Sequence, residues 1–188
     1  MKRARRIWRA ICSKWDSKHL VFIDESGIST SMTRQRGRAE SGKRVRDYVP
    51  DCRWGSTSII SSIRLNGEKE SLVYEGGLTG ELFKGWIKEM LCPTLKKGDM
   101  VIMDNLSSHK VSGVEEMINA VGARVNYLPV YSPDLNPIEL MWSKVKGFLE
   151  TTGAETKEQL LESIGVALDQ VSTKDIAGWF SHCGYSPS

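Results

Sequence analysis

The 188-residue sequence predicts one α/β domain built on a mixed five-stranded sheet flanked by helices. Three observations carry that expectation. Two runs rich in β-branched residues are joined by Asn66-Gly67, a strong hairpin turn. From Thr79 onward, short apolar runs alternate with segments whose apolar residues recur at helical spacing. The composition, 40% hydrophobic and 26% charged with no repeat or low-complexity tract, is that of a folded chain.

Residues 1–18 read as a basic lead-in segment and 19–188 as the domain itself. Within the lead-in, residues 1–16 look helical, with Ile7, Trp8 and Ile11 on one side. "HLVFIDESG" (His19 to Gly27) is an apolar run closed by a Ser-Gly turn, and predicts a buried strand ending near Asp24. The basic stretch "TRQRGRAESGKRVRD" has no periodicity and reads as a loop. Trp54 to Leu65 and "ESLVYEG" are the two strands of the hairpin, making three antiparallel strands so far. Thr79 caps a helix with Leu82, Phe83, Trp86, Ile87 and Met90 on its apolar face, ended by Pro93. "DMVIMDN" predicts a fourth strand with Asp104 at its carboxyl end, Ser108 to Ala120 a helix, and "ARVNYLP" a fifth strand. Pro137 to Glu150 follows as a helix, and Thr156 to Phe180 holds two more, the first opened by a Thr156/Gln159 capping box.

Several classes are excluded at this level. The basic start is interrupted by Arg9 and Lys14, so it lacks a signal-peptide core, and no stretch approaches the ~20 apolar residues of a spanning helix. A soluble, intracellular protein is expected. Cys12, Cys52, Cys92 and Cys183 are scattered, without zinc-site spacing, and read as reduced thiols. Charge is uneven: residues 1–53 carry 14 Lys or Arg against 6 Asp or Glu, a surplus of eight, whereas the remainder carries 12 against 17. That asymmetry suits a polyanion lying across the first part, and equally a solvated basic surface.

Three acids stand out. Asp24 and Asp104 sit at strand ends, the edge of an α/β sheet where ligands gather, and Glu139 follows Asp104 after 34 intervening residues. Each has an ordinary explanation: a strand-end Asp is commonly a turn residue. For Glu139, Asn136 at the N-cap and Pro137 at the first helical position make a recognisable helix start in which an acid is favoured. The combination is what argues otherwise. If the first and fourth strands are neighbours, all three acids converge without basic partners, and such a cluster needs divalent cations. Oxygen ligands without Cys or a His pair point to Mg2+ or Mn2+.

"VFIDESG", "VIMDNLSSHK" and "LPVYSPDLNPIELMWSKVK" resemble the three signature blocks of the insertion-sequence-630 and mariner-like transposases, members of the Asp-Asp-Glu superfamily with a ribonuclease-H-like fold. The resemblance covers nearly the whole chain. It implies that Asp24, Asp104 and Glu139 form a catalytic triad holding two Mg2+ or Mn2+ ions, with Asp24 shared between them, for DNA cleavage at element ends and strand transfer into target DNA. Double-stranded DNA and a second copy of the chain on that DNA are the implied partners. The family's paired helix-turn-helix modules do not fit ahead of Asp24, so the expectation is the second frame of a split element, fused or partnered with an N-terminal polypeptide. A degenerate remnant acting as a non-catalytic regulator, or a general nuclease of the same fold, are the alternatives.

DNA contacts are expected from His109 and Lys110, placed at a helix start after Asp104. Lys146, seven residues after Glu139 on the same helix face, is a further candidate. The Arg34 to Arg53 loop, with Arg34, Arg36 and Arg38, is the candidate clamp. Trp142 is expected in the core, and Glu25, pointing to the other side of its strand, outside the site.

Overall fold

The computed structural model describes residues 2–29, 32, 38–44 and 57–185. The candidate clamp residues Arg34 and Arg36 lie outside the described residues, and Arg38 is exposed. A lead-in helix α1 (Lys2–Cys12) precedes strands β1 (Leu20–Ile28), β2 (Thr57–Arg64) and β3 (Lys69–Glu75). Helix α2 (Gly80–Trp86), strand β4 (Met100–Met103), helix α3 (Val114–Ala120) and strand β5 (Arg124–Tyr127) follow, then helices α4 (Pro137–Thr152), α5 (Lys157–Asp169) and α6 (Thr173–His182). The sheet order is β3-β2-β1-β4-β5, antiparallel from β3 to β1 and parallel from β1 to β5. This is the mixed five-stranded sheet of a ribonuclease-H-like fold.

Alternation along the strands distributes the core over two faces. Phe22, Ile59, Ile63 and Ile102 pack with Met141, Trp142, Val145, Ile164 and Phe180 under α4, α5 and α6. Val21, Ile23, Ile60, Val101 and Met103 pack with Phe83, Trp86, Ile87 and Ile118 on the opposite face. The hairpin turns at Gly67, whose φ of 95° is open to glycine without strain. The Thr156/Gln159 capping box is present, and Ser172/Asp175 forms another at α6.

Four expectations change. β1 does not end near Asp24 but runs on to Ile28, because β2 pairs with it as far as Ile28↔Thr57. Helix α2 gives way after Trp86 to a wider turn over Ile87–Leu91 and a tighter one over Cys92–Thr94, ahead of a buried Leu95. Ser108 to Ala120 is not one helix: a short turn, Ser107–Lys110, is separated from α3 by Gly113 at φ 92°, left-handed backbone that no helix interior adopts. In α1, Trp8 is buried with Cys12, one turn on, while Ile7 and Ile11 are 48% and 45% exposed.

The far end of the sheet shows what a structural acid looks like here. Asp99, just before β4, is buried, with Arg64 Nη2 donating to it at 2.7 Å, the Lys96 amide at 2.7 Å, and His19 Nδ1 at 3.1 Å. Burial pushes its carboxyl up, but Arg64, Lys96 and His19 outweigh burial and hold it below the usual range. Every charge is answered, as buried charges require.

Candidate active site

Asp24 lies on β1 beside the parallel strand β4, whose pairing runs Leu20↔Met100 to Phe22↔Ile102. Continued by two residues, that register sets Asp24 against Asp104, which follows the last residue of β4. Glu139 is the third residue of α4, which packs across the same end of the sheet. Asp104 and Glu139 line one cavity of about 370 Å3 with Asn105, Leu106, Tyr131, Ser132 and Asn136.

Asp24 is only 7% exposed, and no cation answers it among the described residues. Its Oδ1 accepts the Glu25 amide at 2.8 Å and its Oδ2 accepts Asn136 Nδ2 at 3.2 Å. Burial, then the charge of Glu139, then that of Asp104 push its carboxyl up to about 7 against those bonds. The contrast with Asp99 is complete: one buried acid has its cation, the other has two more acids.

Asp104 is half-exposed, and its Oδ1 accepts the Leu106 amide at 2.9 Å. His109 Nδ1 stands 2.7 Å from the same oxygen, an approach too bent for an aligned hydrogen bond, and its Nε2 has no partner. Burial raises the Asp104 carboxyl, but His109 and the Leu106 amide outweigh it and the net shift is downward. Glu139 is raised by burial; the Lys146 charge works against that and the Asp104 charge with it.

Asn136 performs an unexpected task. At the N-cap of α4 its side chain makes no cap bond, its amide goes to the Pro133 carbonyl, and its Nδ2 is spent on Asp24 across the fold. No capping box therefore forms around Glu139. Asn136 is 2% exposed, and its Oδ1 is buried without a partner. The sequence signal was present, an Asn-Pro helix start, but its side-chain direction was not. Trp142, buried in the core as expected, turns its indole toward Asp24 and favours the charged form slightly, although its N–H lacks an aligned acceptor.

The other candidates divide. His109 is fully buried, its ring 4.7 Å from that of Phe83, so it has no surface from which to grip a phosphate; it acts on Asp104 instead. Lys110 is exposed, donates to Asn105 Oδ1 at 2.8 Å and lies 5.2 Å over the Tyr127 ring. Lys146 is partly exposed on the Glu139 side of α4. Among the described residues, no group of three or more acids, histidines or cysteines is drawn close enough to enclose an ion as it stands.

Asn136→Ala removes the only side-chain hydrogen-bond donor to Asp24 among the described residues and is expected to weaken Mn2+ binding by roughly 10- to 100-fold, the size of effect seen when an outer partner of a metal ligand is lost. Calorimetric Mn2+ titration of both proteins checks this; equal affinities would make the bond incidental.

A ribonuclease-H-like sheet with a buried acid on β1 that no cation answers among the described residues, an acid directly after β4 and a third at the start of α4 defines the class of protein. The chain belongs to the DDE superfamily endonucleases, whose family model matches residues 19–161. Its fold is that of the mariner transposase catalytic domain. The Mos1 transposase paired-end complex with left transposon end superposes with a TM-score of 0.76 at 15% identity, over 97% of this chain and 57% of that one. The Mos1 strand transfer complex gives 0.71 at 16%, over 99% and 57%. The isolated Mos1 catalytic domain gives 0.64 at 14%, over 99% and 86%. The chain thus spans a little over half the length of the full Mos1 chains. No curated protein matches it. No helix among the described residues is long and apolar enough to cross a membrane.

Proposed function

We propose that this chain is the catalytic domain of a DNA transposase, which cuts double-stranded DNA at element ends and joins the freed 3′ hydroxyl to target DNA. The observation that carries it is the unanswered charge: a buried Asp24 raised to about 7, with Glu139 and Asp104 as its neighbours. Carboxylates alone fit Mg2+ or Mn2+, hard ions with oxygen ligands, and Asp24, Asp104 and Glu139 would hold two of them. Such ions, when bound, stabilise the attacking and leaving oxygens of a phosphoryl transfer.

The chain's own residues do the rest. Asn136 and the Glu25 amide fix both oxygens of Asp24, so its orientation is set before any ligand arrives. The Leu106 amide bonds one oxygen of Asp104, Oδ1, and His109 stands against that same oxygen. Lys146 tempers the charge of Glu139, and Lys110 stands by Asp104 to meet a phosphate. The cavity's wall beside the acids includes the apolar side chains of Leu106, Leu128 and Val130. Two further facts support the reading: Mos1 complexes of this fold have been solved with Mn and with Mg, and others as paired-end and strand transfer complexes. Recognition of element ends is assigned to helix-turn-helix modules outside these residues, and pairing of two ends to a second copy of the chain.

Mn2+ titration and plasmid nicking with wild type and Asp104→Asn test it together. Binding and nicking should both be lost in the variant; equal Mn2+ binding and equal nicking would refute the reading.

A further inference from the structure

Helix α1 carries Lys2, Arg3, Arg5, Arg6 and Arg9 and no acid at all. Such a helix works against its own electrostatics. Cations in the first turn face the positive end of the macrodipole, and like charges four residues apart repel. It is helical because packing holds it: Trp8 and Cys12 are buried, Trp8 Nε1 donates to the Tyr185 hydroxyl at 2.9 Å, and that hydroxyl donates to the Leu135 carbonyl at 2.8 Å. Nothing in that packing requires the row of cations. Asp134 answers Arg5 and Arg9, but Lys2, Arg3 and Arg6 have no carboxylate partner among the described residues, and local rules broken in this way are expected at functional or strained sites.

The cations are also ordered. Lys2, Arg5, Arg6 and Arg9 recur at i, i+3, i+4 and i+7, and line a cleft of about 250 Å3. Arg5 is committed inward: it grips both oxygens of Asp134 and donates to Ser132 Oγ at 3.1 Å. Arg9 leans on the same carboxylate at 3.8 Å and stays largely exposed. Lys2 and Arg6 are exposed and have no carboxylate partner among the described residues. Ser132, which Arg5 touches, also lines the cavity of Asp104 and Glu139. The Arg5–Ser132 contact therefore joins the basic cleft to the acidic cavity, and a polyanion held at the acids would continue toward α1.

We propose that the Lys2, Arg6 and Arg9 face of α1 is a track for the phosphate backbone of duplex DNA entering the carboxylate cavity, an inference that rests on the DNA-cutting reading above. Arg5 is a positioning residue that locks this face to the loop leading into α4. The track is distinct from the loop that the sequence suggested as the clamp, of which Arg38, Lys43 and Arg44 are exposed.

The test is fluorescence anisotropy with a labelled duplex across a NaCl series. Wild type is compared with Lys2→Ala/Arg6→Ala/Arg9→Ala and with Arg38→Ala/Lys43→Ala/Arg44→Ala, which removes the same number of charges. Each neutralised phosphate contributes about 0.9 to the slope of log affinity against log salt, so the α1 variant should lose about 2 to 3 from that slope and the comparison variant less than about 1. Lys2, Arg6 and Arg9 are exposed and outside the Trp8 and Cys12 packing that holds α1, so the fold should stay intact, which thermal melting verifies. Equal losses in the two variants, or none in the α1 variant, would overturn the track. Absence of any wild-type binding would overturn both the track and the function it rests on. Binding with the full α1-dependent slope but no divalent-dependent nicking would sink only the function.

Discussion

Asp24→Asn is expected to stabilise the metal-free protein at pH 8 while abolishing its nicking activity. In the folded chain the Asp24 carboxyl titrates at about 7, against an ordinary value of 3.8, chiefly because it is buried and secondarily because Glu139 and Asp104 stand near it. The sign follows from proton binding. A folded-state value raised above the unfolded one means that the folded form holds the proton more tightly, so this group's stabilisation is complete below about pH 3.8. It is lost as pH rises through 7. The loss is on the order of 4 kcal/mol at pH 8. An amide at position 24 cannot ionise and so escapes that loss; it keeps an oxygen for the Glu25 amide, and its NH2 can donate to the unpartnered Asn136 Oδ1 once the Asn136 side chain turns over. Wild type without metal should therefore melt lower at pH 8 than at pH 5.5, the variant should not, and Mg2+ should raise the wild-type melting temperature only. A wild-type melting temperature that stays level from pH 5.5 to 8 would show that Asp24 is not held against its own charge.

The same comparison of acids explains what could be read from the sequence and what could not. Periodicity and turn chemistry are local, so the Asn66-Gly67 hairpin, the Thr156 capping box and the strand-helix alternation after Thr79 were all legible. The neighbouring placement of β1 and β4 was legible only as a condition, since their pairing joins Leu20 to Met100 across 80 residues. Boundaries failed where tertiary partners decide them: β2 carries β1 past Asp24 to Ile28, and Gly113 divides a segment whose apolar spacing alone looked like one helix. Side-chain direction failed in the same way. Asn136 has the sequence of a helix cap and His109 that of an exposed helix start, but each turns to a carboxylate, Asn136 to one that lies 112 residues away in sequence. A lone sequence does not say which of two satisfiable hydrogen bonds an Asn will make. For α1 the charge surplus was visible, whereas its ordering into one cleft beside the acidic cavity depends on Trp8 choosing the core.

Glu139→Gln separates a structural from a chemical role for the third acid. As a helix-start residue, Glu139 would matter through a reciprocal cap bond and through the macrodipole. The first is absent here, because the Asn136 amide is already bonded to the Pro133 carbonyl. The second contributes about 0.3 to 1 kcal/mol. Set against this, burial already raises the Glu139 carboxyl, so an uncharged, nearly isosteric amide escapes part of the desolvation cost. The two effects oppose each other, and thermal unfolding without metal should be close to that of wild type. The chemistry differs. Replacing the charge that would hold one divalent ion leaves Asp24 and Asp104 to hold two, and Mg2+-dependent nicking of DNA should fall by orders of magnitude. Unchanged melting with lost nicking is the expected pair of results. Full nicking by Glu139→Gln would return this residue to the helix start and leave only two acids in the site, whereas a large drop in melting temperature would make its role structural after all.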